Sequence, residues 1–327
     1  MLPSVLAATS KEDFVSLDVP GWAWVALVGA IVVLLLVDLL LLHRTAHVVT
    51  FREAALESTA WIVVSVVFGL IVLWAFGTPA GGEYFAGYLI EKSLSIDNVF
   101  VWAVLFSYFA VPAAYQFRVL FWGVFGALVM RAIFIFAGVA LLESFGWLLY
   151  VFGAFLVYTG IKMARGSHAE VHPEQNPILR FVQRVIPSTH EYDGHNMFTK
   201  KSGTRLATPL FAVLILVEAT DLVFAVDSVP AILAVSREPF IVFSSNAFAI
   251  LGLRALYFLL GGMKDKFRYL NVGLGLILGF VGLKMLAAEA YHVPVGLSLA
   301  VIGTIFTGAI VASWLADKRD HEAANKP

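Results

Sequence analysis

Runs of apolar residues, each about twenty long, alternate along this chain with short polar breaks. They lie at 22–42, 59–76, 84–109, 118–142, 146–164, 207–235, 241–262, 269–288 and 294–316. A bilayer core is about 30 Å thick, so each run can cross it as a helix. Helical geometry lets a lipid-exposed backbone satisfy its hydrogen bonds within its own segment, and the chain lacks the short alternating segments of a β-barrel. The pattern predicts an all-α transmembrane fold of about nine helices.

The polar breaks set the orientation. If the spans alternate, Arg44, Arg52, Arg118, Lys162, Arg165, the basic residues of 180–205, those of 264–268 and those of 318–326 fall on one side, against Lys11 and Arg237 on the other. The positive-inside rule then puts the amino end outside and the carboxyl end inside. Residues 1–21 become an extracytoplasmic tail with no basic start or apolar core of signal-peptide type. The one long loop, 166–206, becomes cytoplasmic. It carries His168, His172, His190 and His195 among several acids. That set admits a metal-collecting role, but irregular loops tolerate His freely, so the segment reads as a solvated linker. Within it, 177–185 has the pattern of a short helix lying on the membrane surface.

Composition sharpens the chemistry. Of 327 residues 60% are hydrophobic and 14% charged, with net charge −1 and mean hydropathy +0.86. No basic field points to nucleic acid. The absence of cysteine removes disulfides, thiolate metal sites and thiol nucleophiles together. All eight His fall in loops or near span ends, leaving little support for a haem or a zinc-hydrolase centre.

The chain also repeats itself. IEKSLSIDNVFVW, GALVMRAIFI and VYTGIKM in 84–165 are matched by VEATDLVFAVDSVPAI, AILGLRALYF and FVGLKML in 207–288. Arg131 pairs with Arg254 at an offset of 123, Lys162 with Lys284 at 122 and Asp97 with Asp227 at 130. Each unit holds three spans, an odd number, so the two insert with opposite polarity. Inverted repeats of this kind build secondary transporters around a midplane site. Residues 22–83 supply two helices before the repeats, and 289–327 a last helix and a cytoplasmic tail.

Charges inside the spans locate that site. Asp38, Glu91, Asp97, Glu218, Asp221 and Asp227 face only Lys92, Arg131 and Arg254 as basic counterparts. Each central charge costs about 3 kcal/mol, a gross penalty of order 20 kcal/mol that pairing, solvation or a bound ion must offset. Arg131 and Arg254 are expected to form structural ion pairs. The remaining carboxylates are either protonated or balanced by a cation. Together with the Asn98 and Asn246 amides and the hydroxyls of Ser93, Ser95, Thr220 and Ser228, they are hard oxygen donors suited to Mg²⁺, Ca²⁺ or Mn²⁺. Asn246 is the weaker candidate, since a buried amide also serves as a bond between helices. At 100° per residue, Glu91 and Asp97 point about 120° apart, as do Asp221 and Asp227, whereas Glu91 and Asn98 share a face. A break at Pro230 is expected to swing the acids together.

At these residues the sequence resembles the TerC family of integral membrane proteins, named for tellurium resistance and including Alx-type bacterial members. The motifs that carry the resemblance run from VDLLLLHR through EKSLSIDNVFVW, FWGVFGALVMRAIFIFAG and NPILRFVQRVIPST to TPLFAVLILVEATDLVFAVDSVPAI and SSNAFAILGLRALYFLLGGM. The resemblance implies a fold similar to the lysine-exporter superfamily and export of divalent cations, chiefly manganese. It implies that Glu91, Asp97, Asn98, Glu218, Asp221 and Asp227 form the acidic motifs, with Asp38 a further acidic position.

The expected function is thus an inner-membrane Mn²⁺ exporter working by alternating access. Asp97 and Asp221 would be its primary ligands, and Glu91, Glu218 and Asp227 would complete the site or carry exchanged protons. The partners expected are the cation substrate and the bilayer, with no resident cofactor. The alternative is a membrane partner or assembly factor supporting insertion or metal loading of secreted proteins. A membrane enzyme fits less well, because no nucleophile motif, phosphate loop or redox ligand set accompanies the acids.

Overall fold

The computed structural model describes residues 14–39, 49–165, 186–189, 191–194, 196–201, 204–260, 269–288 and 293–324. The expected surface helix at 177–185 and the four loop histidines lie outside the described residues.

Helix α1, Gly21–Val37, buries Ala23, Leu27 and Ile31, one face at four-residue spacing, and exposes Trp22, Val25, Val28 and Val32 on the others. An apolar surface on three sides is stable only where lipid, not water, surrounds it. Helix α2, Phe51–Tyr108, opens with a capping box between Thr50 and Glu53. It merges two of the expected spans into one element with a hinge. Gly77 has φ 88 and ψ 173, a conformation that costs glycine little, and Pro79 restarts the helix at once. The arm before the hinge is largely exposed, whereas the arm after it buries Tyr84, Ile90, Trp102 and Leu105 completely.

The remaining helices are α3 Ala113–Ser144, α4 Leu148–Ala164, α5 Pro209–Leu233, α6 Pro239–Leu251, α7 Leu253–Leu260, α8 Leu270–Leu286 and α9 Val295–Ala324. Gly252 interrupts the expected span 241–262, dividing α6 from α7. Among the described residues, Phe51–Tyr108, Ala113–Ser144, Pro209–Leu233, Pro239–Leu260 and Val295–Arg319 are long and apolar enough to cross a membrane, and α1, α4 and α8 are shorter apolar helices. The chain is an integral membrane, predominantly helical protein.

The second arm of α2 is the hub, packed against α5, α6 and α7, while α3 packs on α5 and α6 and α9 on α2 and α8. Helices α4 and α8 make the closest approach. A Cβ at Gly160 would stand 2.6 Å from the Gly275 carbonyl oxygen, and one at Gly282 would stand 2.7 Å from that of Gly153, so the two helices run antiparallel with backbones touching. Small residues permit such contact in a solvent where apolar burial gives no drive between helices.

Two sequence expectations need correction. Helix α5 passes through Pro230 to Leu233 without a break, since a proline one turn from a helix end forfeits little of the ladder. The segment expected to be a plain linker folds in part as a hairpin of β1, Phe198–Lys201, and β2, Thr204–Ala207, paired antiparallel. Ala207 N–H donates to the Pro187 carbonyl and the Tyr192 hydroxyl to the Phe109 carbonyl at 2.6 Å, docking the segment on the end of α2. At the other end of the second arm of α2, the extended residues before α1 are strapped down. Val15 N–H donates to Glu83 Oε1 at 2.9 Å, Leu17 N–H to Glu238 Oε2 at 3.0 Å, and the Arg237 guanidinium lies 4.8 Å from the Phe14 ring centre.

The α4–α8 contact predicts that Gly160→Ala lowers stability by about 1–3 kcal/mol, the usual cost of overpacking. Gly303→Ala, where nothing lies within 4 Å of the added Cβ, is expected to be neutral or stabilising. Thermal unfolding of the detergent-solubilised protein reads both, and equal midpoints would contradict the close approach.

Candidate metal-transport site

Glu91, Ser95 and Asn98 sit at positions i, i+4 and i+7 of α2 and so share one face. That face meets Arg131 from α3, Asp221 from α5 and Asn246 from α6. Glu91 forms an ion pair with the Arg131 guanidinium, accepts from the Ser95 hydroxyl at 2.8 Å through Oε1, and accepts from the Asn246 amide at 2.9 Å through Oε2. Asp221 Oδ1 accepts from the Asn98 amide at 3.1 Å and stands 3.6 Å from Arg131 Nη2. Glu91, Asn98, Arg131, Asp221 and Asn246 are each at most 1% exposed. Four helices therefore converge on one polar node inside an apolar bundle.

The node is not saturated. Among the described residues, Asp221 Oδ2, Asn98 Oδ1 and Asn246 Oδ1 are buried without a hydrogen-bond partner, as is Ser228 Oγ two turns along α5. A buried polar atom left unpaired costs about 1–3 kcal/mol, so three of them at the node mark a place built for something besides packing.

The other acids are placed around this node rather than in it. Asp97, one residue before Asn98, is turned off the shared face, half-buried, and has no hydrogen-bond or ion-pair partner among the described residues. Glu218 lies one turn before Asp221 with its carboxylate against Gly126, where a Cβ would collide with it. Glycine at 126 thus makes room for an acid on the neighbouring helix. Asp227 accepts from the Thr159 hydroxyl of α4 at 3.5 Å. Lys92 is turned away from Arg131, with Nζ 3.4 Å from the Ala249 carbonyl of α6. Among the described residues, no three acids or histidines cluster closely enough to hold one metal ion.

Asp38 belongs to a second node. Its carboxylate receives both terminal nitrogens of Arg254 from α7, while Glu57 Oε2 of α2 stands 3.8 Å from Arg254 Nη2. The same guanidinium lies 4.2 Å from the ring centre of Phe117, a cation–π contact. Glu57 was absent from the sequence expectations because it lies just before the apolar run beginning at 59. The signal available was a Glu only two residues ahead of that run, on a helix that begins at Phe51.

Comparison with known proteins agrees with this architecture. Residues 76–321 match the model of the Integral membrane protein TerC family. An uncharacterized membrane protein of Myxococcus xanthus is 50% identical, the match covering 94% of this chain and 96% of that protein. A protein of Escherichia coli K12, provisionally named membrane-bound redox modulator Alx, is 46% identical over 92% of this chain and 96% of its own length. A membrane protein of Rickettsia conorii is 37% identical over 89% and 97%. No solved structure matches.

The node predicts strong energetic coupling. Arg131→Gln leaves two buried carboxylates facing each other and is expected to cost about 3–5 kcal/mol. Adding Glu91→Gln to that variant removes one of the two carboxylates left facing each other and should recover part of the loss. A double-mutant cycle on unfolding midpoints checks this, and additive effects would dissolve the node.

Proposed function

The chain belongs to the TerC family of integral membrane proteins, and from that premise we propose that it is a divalent-cation exporter of the cytoplasmic membrane, with Mn²⁺ as chief substrate. The observation that carries the reading is the unsaturated node. Buried hard oxygens of Asp221, Asn98 and Asn246 without partners, beside Asp97 and Glu218 without a guanidinium of their own, suit a hard dication that replaces its water with carboxylate and amide oxygen. Among the described residues no imidazole, which softer metals favour, takes part in the node, and the chain holds no cysteine to supply a thiolate.

Asp97 and Asp221 act as the primary ligands. Glu91, Glu218 and Asp227 complete the site or exchange protons for the metal. Because Asp97 and Asp221 do not meet in the described conformation, ligation requires another one, in which the α2 face rotates toward α5. A cation favours that conformation only through its greater affinity for it, and that difference links binding to movement. Arg131 holds the carboxylates in the meantime, so substrate and guanidinium compete for one anionic seat.

Alternating access follows from an inverted repeat of 84–165 and 207–288, with the amino end outside and the carboxyl end inside. Reciprocal contacts support it. At the offset of 122 that relates Lys162 to Lys284, Gly153 corresponds to Gly275 and Gly160 to Gly282. The contact of Gly153 with Gly282 then maps onto the contact of Gly275 with Gly160, as a two-fold axis between α4 and α8 requires. Pro79 and Pro209, 130 residues apart like Asp97 and Asp227, open the two equivalent helices. The name of the Escherichia coli relative suggests redox modulation. This chain has no thiol with which to perform it directly.

Mn²⁺ flux into vesicles reconstituted with purified protein tests the function. Asp97→Asn and Asp221→Asn are each expected to slow it about tenfold or more, the effect of losing about 1.4 kcal/mol of ligand interaction. Glu143→Gln, at an exposed helix end, should leave it unchanged. Absence of flux in the parent, or full flux in both aspartate variants, would discard the mechanism.

A further inference from the structure

Arg131 and Arg254 hold equivalent positions in the two three-helix units, 123 residues apart, yet their surroundings differ. Arg131 reaches Glu91 and Asp221 at the central node, whereas Arg254 turns to Asp38 on α1, with Glu57 and Phe117 beside it. The two carboxylates that hold Arg131 are themselves equivalents, 130 residues apart. Exchanging the conformations of the two units therefore maps this carboxylate pair onto itself and changes only which arginine sits there.

We infer that Glu91 and Asp221 form one seat with two alternating occupants: in the oppositely facing conformation Arg254 leaves Asp38 and Glu57 for the two carboxylates, and Arg131 withdraws. The inference rests on the alternating-access reading and makes Arg254 a positioning residue of the transport cycle. Asp38 and Glu57 are its parking place in the conformation described.

Depth along the helices gives the exchange a consequence. Glu91 is twelve residues past Pro79 and Asp221 twelve past Pro209, about 18 Å at 1.5 Å per residue, so both lie near the middle of the bilayer. Arg254 is fifteen residues past Pro239, about 22 Å from the outer end, on the inner side of the seat. Arg131, its inverted counterpart, stands on the outer side. A guanidinium reaching the seat thus lays a positive charge across the path on its own side, where it repels a dication. Arg131 in the seat closes the outer path, and Arg254 in the seat closes the inner one. The structure has a joint for the movement. Gly252 separates α7, which bears Arg254, from α6, which already touches Glu91 through Asn246 at 2.9 Å.

The absence of cysteine makes a direct test simple, since a single introduced thiol is the only one present. Ala225, fully buried one turn beyond Asp221 on the same face of α5, stands outward of the seat on the alternating-access reading. In Ala225→Cys protein in oriented vesicles, labelling by a membrane-impermeant thiol reagent from the amino-terminal side reports that path. Asp38→Asn and Arg131→Gln are expected to speed labelling about fivefold or more by shifting the population, and Arg254→Gln is expected to slow it. Glu57→Gln should give a smaller increase, and it carries the test if Asp38→Asn does not fold. Unchanged labelling in folded Asp38→Asn, or Arg254→Gln moving in the same direction as Asp38→Asn, overturns the exchange, because a merely structural role for the arginines produces no opposed signs. Mn²⁺ flux in the same vesicles separates the two readings. Flux with flat labelling removes the exchange and keeps the exporter, whereas opposed labelling shifts without flux remove the exporter and keep the exchange.

Discussion

The ion pair of Arg131 with Glu91 and Asp221 is the constraint on which the remaining structure turns. Each of these charges is buried among apolar helices, where Coulomb attraction is strong but desolvation is costly, so none is stable alone. Because the three come from α2, α3 and α5, satisfying them fixes the relative position of three helices at one point, and the Asn246 amide adds α6. In lipid the apolar surfaces of these helices gain little by meeting each other. Polar geometry at the node therefore decides which faces turn inward. Two carboxylates share one guanidinium at the node, and the proposed cation site rests on that stoichiometry.

What the node does by charge, the α4–α8 contact does by shape. Gly153 and Gly160 on one helix and Gly275 and Gly282 on the other recur every seven residues, a single face on each, and remove the side chains that would hold the backbones apart. The strap before α1 is of a third kind. Glu83 and Glu238 accept from backbone N–H groups of Val15 and Leu17, so the chain before α1 is fastened by carboxylates that lie far away in sequence. Charge and strap both fasten α2 and α6, close packing joins α4 to α8, and α7 follows α6 across Gly252.

The spans were legible because hydropathy is a local property: the lipid solvent acts on every residue of a run alike, and boundaries differ from the sequence reading by only a few residues at α4, α5 and α8. The shared face of Glu91 and Asn98 was legible for the same reason, since seven residues return a helix to its starting direction. Partners were not. Nothing near Asn98 in the sequence points to Asp221, 123 residues away, because that bond depends on how two helices cross. Gly126 read as part of a motif, and its purpose is apparent only beside the Glu218 carboxylate. The hairpin was legible and overlooked. FTKKSGTRLA places Ser-Gly between two short alternating segments, a hairpin pattern masked by the expectation that a polar loop between membrane helices has no structure of its own.

Helix α1 lies outside the two repeats, and its position bears on how they are used. Two units related by inversion and left to themselves would give two facings of nearly equal energy, because every contact in one would have its image in the other. The contacts of Arg254 break that equality. Asp38 lies on α1, Glu57 on the first arm of α2 and Phe117 on α3, and the first two belong to the segment preceding the repeats. Among the described residues Arg131 meets no such supplementary acids, and Glu91 and Asp221 both come from the repeated helices. On the inverted-repeat reading, the added helices are then more than lipid-facing cover. They supply the differential contacts that make one facing the resting state, and the free energy a cation must provide to leave that state is set by a carboxylate it never touches.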